Sequence, residues 1–153
     1  MLVKDYDLNF TFEISDDFTE ISKDKYDVFG VDEDTLHYFL YLDQDNQEYP
    51  FSLIKGKEFK SDEEYEKTIL GEVEELQKLY TDAYISDVYT IKAEGQRRLD
   101  RVSIDFNDGG FMSVVYYTPV NGHIVTSAAS IIEDADEYEA GLYKLMSSIK
   151  EMN

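Results

Sequence analysis

The half of the chain after residue 84 leaves little choice of architecture. Tyr84 to Ala93, Arg97 to Phe106, Phe111 to Thr118 and His123 to Ser130 read as four strands in succession. Between them stand Glu94-Gly95, Asn107-Asp108-Gly109-Gly110 and Asn121-Gly122. Asn, Asp and Gly tolerate positive φ, so such pairs between apolar runs close tight hairpins. Strands joined this way lie antiparallel.

The first half adds more strands. Leu8, Phe10, Phe12 and Ile14 alternate with Asn9, Thr11 and Glu13, and Ser15-Asp16-Asp17 breaks the run. Lys25 to Phe29 is a short strand candidate, ended by Gly30 and the acidic loop Asp32-Glu33-Asp34. Thr35 to Leu42 is the strongest strand. Leu36, Tyr38, Leu40 and Leu42 share one side, and His37, Phe39 and Tyr41 the other. A strand apolar on both sides is covered twice, or keeps one side for a partner. Asp43-Gln44-Asp45-Asn46-Gln47 makes the turn into Glu48 to Lys55, whose Pro50 suits an edge or a strand start.

Two helices complete the pattern. Ser61 with Glu64 forms a capping box, and Asp62, Glu63 and Glu64 complement the first-turn dipole. Tyr65, Ile69, Val73, Leu76 and Tyr80 then form one stripe. A second helix from about Asp134 carries Tyr138, Leu142, Leu145, Ile149 and Met152 on its stripe. No linker or repeat interrupts residues 1–153, which read as one α+β domain. The expected core is an antiparallel β-sheet of about 6–8 strands with two helices packed on it. Two helices suffice to cover one side of such a sheet, with the leucine side of Thr35 to Leu42 toward them.

Charge removes several function classes. The chain holds 34 Asp and Glu against 14 Lys and Arg, a net charge of −20. Such a polyanion repels nucleic acid and anionic membrane surfaces. Aromatic residues make up 14% of the sequence, enough apolar area to set it apart from disordered acidic chains. With no Cys there is no disulfide, thiolate nucleophile or Cys-based zinc site. Met1-Leu2-Val3 runs into Lys4, Asp5 and Asp7, which is no signal-peptide apolar region, so a cytoplasmic location is expected.

Chemistry-bearing motifs are missing. There is no G-x-S-x-G, no glycine-rich phosphate loop and no H-E-x-x-H, so neither catalysis nor a cofactor is expected. Asp43-Gln44-Asp45-Asn46 and Asp105-Phe106-Asn107-Asp108-Gly109 resemble fragments of calcium loops without the spacing or the closing Glu. Turn chemistry accounts for both, and no metal site is expected. The two histidines, His37 and His123, read as core-lining or surface residues rather than ligands.

Two features stand out against this background. The protein's three arginines, Arg97, Arg98 and Arg101, fall within five positions of one strand. Their planar forks suit an anionic partner, or they neutralise the protein's own carboxylates, Asp100 and Asp105 among them. If Val102, Ile104 and Phe106 face the core, Arg98 and Asp100 share their side and Arg101 points away. The second feature is aromatic. His37, Phe39 and Tyr41, with Tyr116 from Phe111 to Thr118, would form a Tyr-rich sheet face suited to binding. Alternatively, the loop around residues 16–34 folds over that side.

The order of elements resembles the Mog1/PsbP-like fold. The likeness rests on Leu8-Asn9-Phe10-Thr11-Phe12-Glu13-Ile14 leading into Ser15-Asp16-Asp17-Phe18, and on a central helix, Ser61 to Tyr80, between two sets of strands. Hairpins around Gly109-Gly110 and Asn121-Gly122 and the ending Leu145-Met146-Ser147-Ser148-Ile149-Lys150 extend it over nearly the whole chain. Asp16-Asp17-Phe18 replaces the usual Pro-Gly-Trp. The resemblance implies a non-catalytic accessory module, as in Mog1, which binds a small GTPase, and PsbP, an accessory subunit of photosystem II. It carries over no functional residue.

The expected function is therefore protein interaction without catalysis. The acidity favours a basic protein partner, as an inhibitor or immunity protein would meet, steered by charge. The alternative is a small-ligand binding domain with a Tyr-lined pocket.

Overall fold

The computed structural model describes residues 1–92, 97–106, 111–132 and 136–152. Eleven strands in these residues form two antiparallel sheets. The smaller contains β1 (Leu2–Asp5), β2 (Phe10–Glu13) and β11 (Lys150–Glu151), in the order β1-β2-β11. The larger has eight strands: β3 (Phe18–Ile21), β4 (Thr35–Leu42), β5 (Glu48–Glu58), β6 (Tyr84–Ile85), β7 (Tyr89–Lys92), β8 (Arg98–Asp105), β9 (Phe111–Val120) and β10 (His123–Ile132). Its order is β3-β4-β5-β10-β9-β8-β6, with β7 also on β8. The expected α+β architecture and antiparallel sheet are what the chain forms.

Local signals account for most elements. Asn121 and Gly122 take φ of 46° and 83° and close the β9–β10 hairpin. Helix α2 (Asp62–Leu79) begins where the capping box places it, with the Ser61 hydroxyl accepting the Glu64 N–H at 3.1 Å. The turns at Glu94-Gly95 and Asn107-Asp108-Gly109-Gly110, and the expected helix start at Asp134, lie outside the described residues.

Other elements depart from the sequence expectations. Lys25 to Phe29 is no strand. A 3₁₀ turn at Lys23–Lys25 leads into a single helical turn, α1 (Tyr26–Phe29), closed by Gly30 at φ 67°. Phe18–Ile21, passed over in the sequence, pairs with β4 as the sheet edge. The expected strand from Tyr84 breaks into β6 and β7. Helix α3 (Asp136–Ser147) ends before Ile149 and Met152, and Lys150–Glu151 instead pairs with β2. Ile149 is still fully buried.

The two helices cover opposite faces of the large sheet, not one. Tyr65, Ile69 and Val73 of α2 pack with Val102, Ile104, Val115, Tyr117 and Ile124 on one face. On the other, Tyr138, Leu142, Leu145 and Met146 of α3 join Phe10 and Phe12 of the small sheet. Both faces of β9 are apolar, so neither can be left to water. An 18-residue helix spans about 27 Å, too little to cover an eight-stranded face alone.

Candidate functional site

The register of β4 against its neighbours decides which residues can form a site. His37 pairs with Leu53, Phe39 with Phe51, and Tyr41 with Tyr49. One cross-strand row continues from His37 through Leu53, Ser127 and Tyr116 to Arg101. His37, Tyr116 and Arg101, far apart in sequence, thus share one face.

That face is covered. Phe39 is 0% exposed, Tyr116 1% and Tyr41 4%. Phe12 of the small sheet meets Phe39 edge-on, and Tyr138 of α3 lies 5.1 Å from Tyr41. Neither an open aromatic face nor a covering loop describes the result. Residues 18–21 extend the sheet itself, and Tyr26 and Phe29 pack on Tyr38 on the opposite side. Leu36, beside the irregular pairing of Thr35 and His37, is buried in the core with Phe39 and Tyr41. From Tyr38 onward the leucine side of β4 is the more open one, with Tyr38 and Leu40 half-buried and Leu42 exposed. Its neighbours there are Pro50, Ser52 and, on β10, Ala128, which offer little apolar area to bury.

The three arginines are held inside the fold's own charge pattern. Arg98 shares a side with Asp100, as strand parity requires, and donates to Asp100 at 2.8 Å and to Glu66 of α2 at 2.7 Å. Its guanidinium also lies over the Tyr65 ring. Arg101 points to the other face and donates to Glu139 of α3 at 2.6 Å. Arg97 donates to the Thr118 hydroxyl and to the Met146 carbonyl, and burial holds it below the usual arginine range. The arginine strand therefore ties α2 and α3 to the sheet.

A concave site lies at the corner where the β4–β5 turn meets the start of α3. Its volume is about 450 Å³. Tyr41, Tyr49 and Tyr138 form its floor, with ring centroids 5.0–6.3 Å apart. Asp43 and Asp45 from the turn, and Asp136 and Glu137 from the first turn of α3, line its wall. No basic side chain is among its described lining residues. The turn is shaped by Asp43, which accepts the Asp45 and Gln47 N–H groups at 2.9 and 2.8 Å. Tyr138 is locked by donating its hydroxyl to the Pro50 carbonyl at 2.7 Å.

The electrostatics of this corner are negative. Burial raises the Tyr41 hydroxyl above the ordinary tyrosine range, and Asp17, Glu137 and Asp43 add to the shift. Tyr49 is raised by burial and then by Asp43, whose carboxylate it also contacts at 3.3 Å. Such a site attracts a cation and repels an anion. Of the residues singled out in the sequence, only Tyr41 reaches it. In the sequence Asp43 and Asp45 carry a turn signal, Tyr138 lies on a helix stripe and Tyr49 in a strand. Nothing local in the sequence links residues 41–49 to residues 136–138.

Among the described residues, no group of three His, Asp or Glu side chains converges to hold a metal ion. No described helix is long and apolar enough to cross a membrane. No protein-family model matches the chain, and no curated protein does. Among solved structures, the solution structure of cyanobacterial PsbP (CyanoP) from Synechocystis sp. PCC 6803 matches with a TM-score of 0.64. It is 14% identical and covers 99% of this chain and 92% of that one. A crystal structure from Bacteroides thetaiotaomicron VPI-5482 has a TM-score of 0.41 at 11% identity, covering 94% of this chain and 45% of that one. The first of these likenesses gives the fold: it is the Mog1/PsbP-like fold.

Proposed function

We propose that this PsbP-like fold serves as a non-catalytic interaction module that receives a basic group of a protein partner in the acidic tyrosine corner. The observation that carries the reading is the wall of four carboxylates over a tyrosine floor, with no basic side chain among the described lining residues. The net charge of −20 supports it further, and Arg97, Arg98 and Arg101 are engaged within the fold. Long-range attraction would speed encounter with a basic partner, while the corner supplies local contact. A Lys or Arg side chain can lay its aliphatic stem on tyrosine and present its charge to carboxylates. A cytoplasmic setting belongs to this proposal, and nucleic acid and anionic membranes are disfavoured partners on charge.

The test is titration with Lys- and Arg-containing peptides at low and high salt, comparing the native protein with Asp43→Asn/Asp45→Asn. Binding should weaken with salt and with the substitutions. Affinity indifferent to both would sink the reading. The concavity of the corner favours a second reading, a small organic cation as ligand. Stabilisation against heat by such cations, lost in the same variant, would distinguish it.

A further inference from the structure

His37 occupies a position that neither the core nor the acidic corner accounts for. Its Nε2 lies 2.9 Å from Asp5 Oδ2 and its Nδ1 lies 2.6 Å from Glu20 Oε1. Asp5 is the last residue of β1, and Glu20 belongs to the edge strand β3. One imidazole on β4 therefore ties together the small sheet, the edge of the large sheet and the strand between them. Its ring is enclosed by Phe12, edge-on at 5.1 Å, and Phe39, stacked at 6.1 Å.

The proton count follows from the donors and acceptors. An ionised carboxylate only accepts hydrogen bonds, so two carboxylates facing the two ring nitrogens require both nitrogens to carry protons. Neutral imidazole has one N–H and one lone pair. On loss of a proton, one carboxylate would face that lone pair across less than 3 Å. In a site where the His37 side chain is only 10% exposed, such a like-for-like contact is costly.

We propose that His37 is a proton-operated latch: doubly protonated, it fastens β1 and β3 to β4, and loss of one proton releases one of the two ties. The elements it holds are suited to release. β3 is four residues long and, among the described residues, pairs only with β4, as β1 pairs only with β2. Asp5 and Glu20 are the ionised groups that face the ring. The Tyr26 hydroxyl of α1 lies in the field of Glu20, and Asp7, next but one after Asp5, is paired with Lys55 of β5 at 3.1 Å. Burial acts to lower the His37 value, but the bonds to Asp5 and Glu20 outweigh it and set it above the ordinary histidine range. The latch is therefore fastened at and below pH 6.5 and opens as pH rises through the raised His37 value.

The test combines imidazole ¹⁵N spectra with amide exchange across pH. Both His37 nitrogens should be protonated at pH 6, and the titration midpoint should lie above 6.5. Exchange of the β1 and β3 amides, corrected for intrinsic rates, should rise by up to about tenfold per pH unit between the ordinary histidine value of 6.5 and the raised His37 titration point, the slope of one linked proton, and level off above it. His37→Gln should abolish that slope. Glu20→Gln, which keeps the Asp5 bond, should move the His37 titration downward and serves if His37→Gln fails to fold. A singly protonated ring at pH 6, an unchanged slope in His37→Gln, or an unmoved titration in Glu20→Gln would each overturn the latch.

Discussion

The carboxylate of Asp100 on β8 accepts the hydroxyl of Tyr65 on α2 across 2.9 Å, with Asp100 wholly buried and Tyr65 2% exposed. Thr90 donates to the same carboxylate at 2.6 Å and Arg98 at 2.8 Å. A strand, an edge strand and a helix thus share one buried carboxylate that accepts three donors. The same pairing, after burial, drives the Tyr65 hydroxyl far above the ordinary tyrosine range.

Removing that acceptor should be expensive. Asp100→Ala leaves Arg98, Thr90 and Tyr65 without their common partner, and should cost about 3–5 kcal/mol of stability. Tyr65→Phe removes one of the three donors and keeps the ring, and should cost about 1 kcal/mol. Denaturant unfolding of both variants checks the order. Equal losses would mean that the Tyr65 hydrogen bond alone, and not the contacts of Asp100 with Arg98 and Thr90, carries this junction.

Stability should peak on the acid side of neutrality. His37 titrates above its ordinary value of 6.5, so its contribution is complete below that pH and is lost as pH rises through the raised value. Burial opposes ionisation of Asp5, yet the bonds from His37 and the Leu8 N–H hold it below 3.8. Its contribution is present above that pH and fades as pH falls through the lowered value. The unfolding midpoint should therefore be flat between about pH 4 and 6.5 and decline on both sides. His37→Gln should flatten the alkaline decline.

Two glycines should respond oppositely to alanine. A Cβ on Gly56, opposite the irregular pairing of His123 and Val125, would stand 2.6 Å from the Ile124 carbonyl oxygen. Gly56→Ala should cost about 1–3 kcal/mol, as overpacking does. Nothing lies within 4 Å of a Cβ on Gly71, on an exposed turn of α2. Gly71→Ala should gain about 1 kcal/mol from helix propensity, raising the melting temperature by about 2–4 °C.

Ser127 offers a fourth check. Its hydroxyl is buried among Leu53 and Tyr116 with no hydrogen-bond partner among the described residues. Ser127→Ala should be neutral or stabilising by about 1 kcal/mol, because it removes an unsatisfied polar group. A large loss in thermal unfolding would show that the hydroxyl has a partner.

The elements were legible where the signal is local. Thr35 to Leu42 is a run of mostly large apolar residues between acidic turns, and the Ser61-Glu64 box and Asn121-Gly122 turn each rest on residues within four positions. The misread segments lacked such support. Lys25 to Phe29 has only one helical turn in which to show a period. Ile149 and Met152 continue the spacing of α3, yet Met152 N–H bonds the Asn9 carbonyl at 2.8 Å, a partner far away in sequence. The corner formed by Tyr41, Tyr49 and Tyr138 was invisible for the same reason.

By itself the sequence determined the antiparallel α+β arrangement, the starts of its strongest elements and the acidic surface, because turns, caps and side-chain periods act over a few residues. It also determined that Arg98 and Asp100 share a side, since strand parity is a property of the backbone. Only the tertiary structure decided which side of each strand is inside. β4 is apolar on both sides, and its burial depends on strands it meets at Phe51 and Leu53 on one side and Pro50 and Ser52 on the other. Burial follows the summed apolar area of neighbouring strands, and no single strand carries that sum.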